Sequence, residues 1–373
     1  MRLAFHNIGH ERIRVLVTVL GITCATMLML VQGSILLGFL GAASKIIDTT
    51  DADIWIAGRG APCFEFPVSL ERRFAELAHS VPGVGETSRI LTRIVPFRKP
   101  DGDQQLVTLI GADRGVGKRF PMPVVSLNAS AIEPEGVLID ESSRRILNAS
   151  GKLPLPVELN ERRANVIGET SGFSSFLGTP YVFTSYQDGA RYSGLGPEET
   201  MFILVRMQAR AKIEEVVQGL KDRFPSADVW TREEFSHKAQ IYWTSQTGAG
   251  GAILTAALLG FFIGLAVVSQ AVYATTMENI EEFATLKALG ASNWFVMRVI
   301  VAQAVACGIA GCLLGILISA PVIQQVKSVI PWLVTPPWLP VAMLPLALTI
   351  CTLASIISVR AALAVEPARV FRA

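Results

Sequence analysis

The sequence predicts an α+β membrane protein: four transmembrane helices, with a large extracytoplasmic α+β domain between the first and the second. Three observations predict it. No charged residue lies between Arg14 and Lys45, Ala239 and Met277, Val299 and Val326, or Ser328 and Val359. One of these runs sits near the start and three crowd the end, with a mostly polar stretch from about Lys45 to Thr247 between them. Basic residues flank the outer runs on one side, with Arg2, Arg12 and Arg14 before the first and Arg360, Arg369 and Arg372 after the last.

A helix needs ~20 apolar residues to cross ~30 Å of hydrocarbon, and each run is long enough. In lipid the backbone must satisfy its own polar groups, so these runs are helices. The spans are placed at 15–44, 251–275, 296–326 and 341–359. Pro331, Pro336, Pro337 and Pro340 mark residues 327–340 as a loop before the fourth. A soluble protein with buried core helices would rarely contain four such charge-free runs, although a hydrophobic content of 51% alone would not exclude it. The first run is far longer than the ~7–15-residue apolar core of a cleaved signal peptide and reads as an uncleaved signal-anchor.

Cytoplasmic flanks carry the excess of Lys and Arg, which puts residues 1–14, 276–295 and 360–373 in the cytoplasm and the domain outside it. The net charge of +2 points to no particular partner, and neither a basic stripe nor a zinc spacing suggests nucleic acid. Cys24, Cys307, Cys312 and Cys351 fall in spans, where they serve as small apolar residues. Cys63, alone in the external domain, reads as a free thiol, with an intermolecular bond as the alternative.

The external domain begins with a β-α-β-β pattern. Ile54–Ala57 is a strand; Leu70, Phe74, Leu77 and Val81 form a helix face with Ser69 as its N-cap. Ile90–Phe97 and Gln105–Ile110 are strands joined by the turn Lys99-Pro100-Asp101-Gly102. A similar unit returns later. Met201–Val205 is a strand, Ile213, Val216, Leu220 and Phe224 line a helix, and Ala227–Trp230 is a strand. Together these units, 45–112 and 200–230, suggest a split β-α-β sandwich with its helices on one face of a sheet. Residues 113–199, rich in Pro, Gly and Ser, read as an inserted β-rich lobe with strands at Gly136–Ile139 and Tyr181–Phe183 and one short helix at Glu141–Leu147. Residues 231–250 read as a stiff helical stalk continuous with the second span, because neither Pro nor Gly precedes Gly248 there.

No catalytic, cofactor or metal site is expected. Gly111–Arg119 has the wrong spacing for a phosphate loop and Arg119 replaces its Ser or Thr. His10-Glu11 lacks the second histidine of a zinc protease, and no Gly-x-Ser-x-Gly elbow occurs. Apart from Arg298 at the very start of the third, the spans hold no charged residue for a proton or ion pathway.

The most specific segment runs from Met277 to Ser292. Glu281 and Glu282 sit near the positive end of a short helix, Lys287 near its negative end, and Gly290 closes it. Phe283 and Leu286, three apart, form an apolar spot facing the cytoplasm, and Leu289 follows them. This suits docking to a partner, whereas the plainer reading is a capped helix on the membrane surface.

Glu282, Leu286, Lys287, Ala288, Leu289, Gly290, Ala291 and Ser292 closely resemble the coupling-helix motif of the FtsX/MacB-like permeases of ABC systems. The start, Leu3–Ile8 with Arg12, Arg14 and Gly21, resembles that family's amphipathic entry helix and first span; Arg360-Ala361-Ala362 and Glu366–Arg372 resemble its tail. The DevC-type branch, which lacks a fused ATPase, is the nearest in length. On this resemblance 45–112 and 200–230 are the two parts of a porter and 113–199 is its small β lobe.

The resemblance implies a permease homodimer bound to cytoplasmic ABC ATPases through Glu281, Glu282, Phe283, Leu286, Lys287, Leu289 and Gly290. ATP is used by that partner and no cofactor is bound by this chain. It further implies mechanotransmission, in which the motion reaches a periplasmic domain that meets an adaptor (membrane fusion protein) and an outer-membrane channel, with membrane lipid around the spans. The location implied is the bacterial inner membrane. Alternatives within the family are a regulator of a periplasmic cell-wall hydrolase and a lipoprotein-releasing permease. An alternative of another class is a membrane receptor or sensor.

Overall fold

The computed structural model describes residues 12–113, 134–149, 151–278, 285 and 289–363. Residues 1–11 of the entry helix, 364–373 of the tail and 114–119 of the phosphate-loop lookalike lie outside them. Along the chain come α1 (Arg12–Thr49), β1 (Ile54–Gly58), β2 (Leu70–Glu71), α2 (Phe74–Leu77), β3 (Val84–Arg98), β4 (Gln104–Ala112) and β5 (Gly136–Asp140). They are followed by β6 (Leu155–Leu159), β7 (Arg162–Thr170), β8 (Tyr181–Ser185), α3 (Tyr186–Ser193), β9 (Glu199–Thr200), β10 (Phe202–Met207), α4 (Ile213–Arg223) and β11 (Ala227–Thr231). The remaining helices are α5 (Arg232–Ile241), α6 (Gly248–Glu278), α7 (Asn293–Val329) and α8 (Trp338–Leu363). The chain forms two compact units, Phe39–Gly251 and the remainder.

Four helices are long and apolar enough to cross a membrane, over Val15–Thr49, Gly248–Ala274, Asn293–Val329 and Trp338–Ser355. Their shared core draws Ile22, Met29 and Leu30 from α1, Val268 and Val272 from α6, Cys307 and Cys312 from α7, and Met343 and Cys351 from α8. Small residues let backbones approach, as is usual where lipid gives helices no hydrophobic drive to associate. A Cβ on Gly311 would stand 2.7 Å from the Ile22 Cβ, and Thr23 Oγ1 donates to the Gly311 carbonyl at 3.2 Å. Gly260 and Gly264 likewise face Gln32 and Met29 of α1. The fourth helix starts at Trp338, before the expected 341, because Pro340 falls in its first turn, where a missing N–H costs nothing.

In the other unit, four antiparallel strands run in the order β11-β1-β10-β3. With α2 after β1 and α4 after β10, this is the split β-α-β arrangement the sequence suggests. Alternation along each strand buries both faces. Ile54, Ile56, Ile203 and Val205 meet Phe74, Val216, Leu220 and Phe224 under α2 and α4. On the opposite face Trp55 and Phe202 pack against Phe64 and against Phe235 of α5. The two helices of the repeated units thus lie on one face as expected, and α5, from the segment expected to be a free-running stalk, covers the other. Phe235, Ala239 and Trp243 recur every four residues in an otherwise polar segment and bury a narrow stripe.

The β-rich lobe differs from its expected limits. β3 runs on past the four-stranded sheet, and the order continues β4-β8-β5-β7-β6. β6 then returns to β3, pairing Leu159 with Phe97, and closes six strands into a ring. Val95, Phe97, Val107, Leu109, Val137, Ile139, Leu159 and Val166 fill it. The hairpin 84–112 thus supplies two of the ring's six strands, while the first half of β3 stays paired with β10 in the four-stranded sheet.

Two local expectations also change. Ser69 caps nothing: Leu70 and Glu71 pair with Thr200 and Glu199, so the helix is one turn begun at Arg73. Glu141–Ser143 is a single 3₁₀ turn capped by Asp140. The helix α3 was not foreseen; Ser185 caps it, and left-handed Gly194 ends it.

Candidate functional site

Of the expected docking residues, Glu281, Glu282, Phe283, Leu286 and Lys287 lie outside the described residues. Leu289 and Gly290 are described. The Leu289 N–H donates to the Thr285 carbonyl at 3.0 Å, a helical turn, and Gly290 follows at φ 93°, in the left-handed region where glycine alone is unstrained. Leu289 is 81% exposed. Ser292 then caps α7 by accepting from the Phe295 N–H. Leu289 and left-handed Gly290 therefore stand directly ahead of the capped start of α7.

The expected continuous stalk, 231–250, is broken. Thr231 and Glu234 form a capping box that starts α5. A π turn, Tyr242–Gln246, follows, and Thr247 then goes extended at φ −112° and ψ 145°. Thr247 closes the joint. Its hydroxyl donates to the Trp243 carbonyl at 2.6 Å and accepts from the Gly250 N–H at 3.2 Å. Gly250 lies so close to the Trp243 carbonyl that a Cβ there would collide with it. The glycines at 248, 250 and 251 are the sequence signal for this joint.

Behind the joint lies a buried polar cluster that the sequence did not reveal. Glu65, in the loop after β1, accepts from Trp243 Nε1 at 3.2 Å and from the Tyr181 hydroxyl at 3.4 Å. Burial raises the Glu65 carboxyl above its ordinary value, opposed only in part by hydrogen bonds. Burial beside Glu65 pushes the Cys63 thiol up to about 12 and Tyr181 well above its usual range. Cys63 is free and fully buried, so a disulfide to another chain would require this region to open. A groove of about 520 Å³ runs nearby, lined by Trp230, His237, Lys238 and Tyr242 among others. Lys238 is already engaged there, donating to the Ala61 carbonyl at 2.8 Å and lying over the Trp230 ring. Among the described residues no group of three or more His, Cys, Asp or Glu side chains could hold a metal ion.

A bundle of four membrane helices, with an α+β domain between its first and second spans, defines a membrane permease. The MacB-like periplasmic core domain family matches residues 15–223 and the FtsX-like permease C-terminal family matches residues 252–367. The chain belongs to the FtsX/MacB-type permeases of ABC transporters, a family that works with an ATPase partner. Uncharacterized ABC transporter permeases from two strains of Mycobacterium tuberculosis are each 23% identical over 378 residues, spanning 99% of this chain and 98% of theirs. Among solved structures, the periplasmic region of MacB from Actinobacillus actinomycetemcomitans matches with a TM-score of 0.38 at 15% identity, over 52% of this chain and 96% of that one. The extracellular domain of the transporter YknZ from Gram-positive bacteria matches with a TM-score of 0.36 at 13% identity, over 48% of this chain and 98% of that one.

Proposed function

We propose that the chain is the permease subunit of an ABC-type export or efflux system that passes ATPase-driven motion to its external domain. The observation that carries this reading is α1, which runs unbroken from Arg12 to Thr49. At 1.5 Å per residue that is about 57 Å, nearly twice the ~30 Å of hydrocarbon. Such a rod is suited to carrying displacement along its axis. The segment 276–295 would dock in the ATPase through Glu281, Glu282, Phe283, Leu286, Lys287, Leu289 and Gly290, and ATP would be hydrolysed in that separate chain.

On this reading the permease pairs with a second copy in the bacterial inner membrane. Both termini are cytoplasmic and the large domain is periplasmic, meeting an adaptor and an outer-membrane channel.

Co-purification with the ATPase tests the docking. Glu282→Lys or Leu286→Asp is expected to release the ATPase, and the chain alone to turn over no ATP. Retained binding and export in both variants would overturn the docking role. Labelling of a cysteine placed at Gly290 from outside the cell would overturn the orientation.

A further inference from the structure

Trp243 occupies a mechanically central place. It belongs to the π turn that precedes Thr247, and its indole is buried. Phe176, in the loop before β8, meets its ring edge-on at 4.8 Å. Phe39 of α1 meets Phe176 at 5.3 Å, and Phe66 lies against the other side of Trp243 at 5.8 Å. Packing of this kind positions a ring but allows it to slide. Direction comes from the Glu65 carboxyl, which receives the indole N–H on one oxygen and the Tyr181 hydroxyl on the other.

These three groups belong to three elements. Glu65 follows β1 of the four-stranded sheet, Tyr181 opens β8 of the six-stranded ring, and Trp243 sits in the turn before α6. Among the described residues no Lys, Arg or His pairs with Glu65, and the other titratable neighbours are Cys63 and Tyr181. Burying a carboxyl with no cationic partner is costly, so an apolar residue would fill this place at lower cost. What an apolar residue could not do is hold two donors on different elements at fixed angles.

We propose that Glu65 is a positioning residue that latches the Trp243 turn to the ring strand carrying Tyr181, so that displacement of the joint before α6 is passed to the ring. The coupling half of this assignment rests on the mechanical reading above; the latch itself does not.

The test uses the full-length chain. A double-mutant cycle of Tyr181→Phe and Trp243→Phe, read as thermal unfolding and as tryptophan emission, measures whether the two residues act as one. Coupling is expected with Glu65 and with Glu65→Gln, whose oxygen accepts from the Trp243 indole while its amide N–H donates to the Tyr181 hydroxyl oxygen, and is expected to vanish in Glu65→Leu. Additive effects in the native background, or a Gln variant that behaves like Leu, would overturn the latch. With the ATPase bound, Glu65→Leu is expected to lower transport-linked turnover about five- to tenfold, the worth of one buried hydrogen bond, while leaving ATPase binding unchanged. Normal turnover in Glu65→Leu would overturn the coupling role. If the native chain binds no ATPase while the cycle still shows coupling, the export reading fails and the latch stands.

Discussion

Two stretches of chain join the spans to the external domain, and they are built on opposite plans. α1 passes from Arg12 to Thr49 without a break; its last turns bury Ile46 and Ile47, and Ser44 donates to Asp48 at 2.7 Å. The return stretch is made of three pieces: α5, which is folded onto the sheet through Phe235, a π turn, and α6 beginning after extended Thr247. The first is a rod and the second is a joint.

The sharpest way to break the comparison is to put a joint in the rod. Lys45→Pro removes a helical hydrogen bond and clashes with the preceding turn, costing about 3 kcal/mol or more. Thermal unfolding should show the largest loss of any substitution here, and transport-linked ATPase turnover should fall with it. A rod-like role for α1 fails if turnover survives. The next effect comes from crowding the joint. Gly250→Ala places a methyl against the Trp243 carbonyl and should cost about 1–3 kcal/mol as the joint is forced open, seen as a lower unfolding midpoint and altered tryptophan emission. Thr247→Ala, which removes the cap on the Gly250 N–H and the hydroxyl bond to the Trp243 carbonyl but crowds nothing, should cost about 1 kcal/mol in the same melt.

The smallest effect is a dependence on pH. Burial raises the Glu65 carboxyl above its ordinary 4.5, so the folded chain holds that proton more tightly than the unfolded chain does. Its contribution is complete below about 4.5 and declines as pH rises toward the raised folded value. As pH rises above about 4.5 the native chain should therefore lose stability relative to Glu65→Gln, and parallel pH profiles of the two would count against a carboxyl protonated in the fold.

Much of this architecture is legible in the sequence. Charge-free runs mark the spans, since lipid admits only helices or closed barrels, and a glycine at 290 is the residue a left-handed turn calls for. The joint was within reach: Thr231-Arg232-Glu233-Glu234 spells a capping box, and Phe235, Ala239 and Trp243 keep a four-residue period. Taking the absence of early glycine as evidence for a free stalk overlooked that stripe. The closed ring was harder to read, because it depends on Phe97 meeting Leu159 across more than half the lobe, a register no local pattern encodes. The Glu65 cluster was hidden for the same reason: its partners stand 116 and 178 positions away.

The fifteen residues of β3 serve two cores, first with β10 and then with β4 and β6. The lobe is therefore not a cassette that can be lifted out at 113 and 199. Such a deletion would strip four staves from the barrel and leave the Val84–Ala112 hairpin standing with its oily inner side bare. Grafting it between relatives would have to cut midway along one strand, so exchange in this part of the chain is a matter of swapping side chains and loops rather than modules.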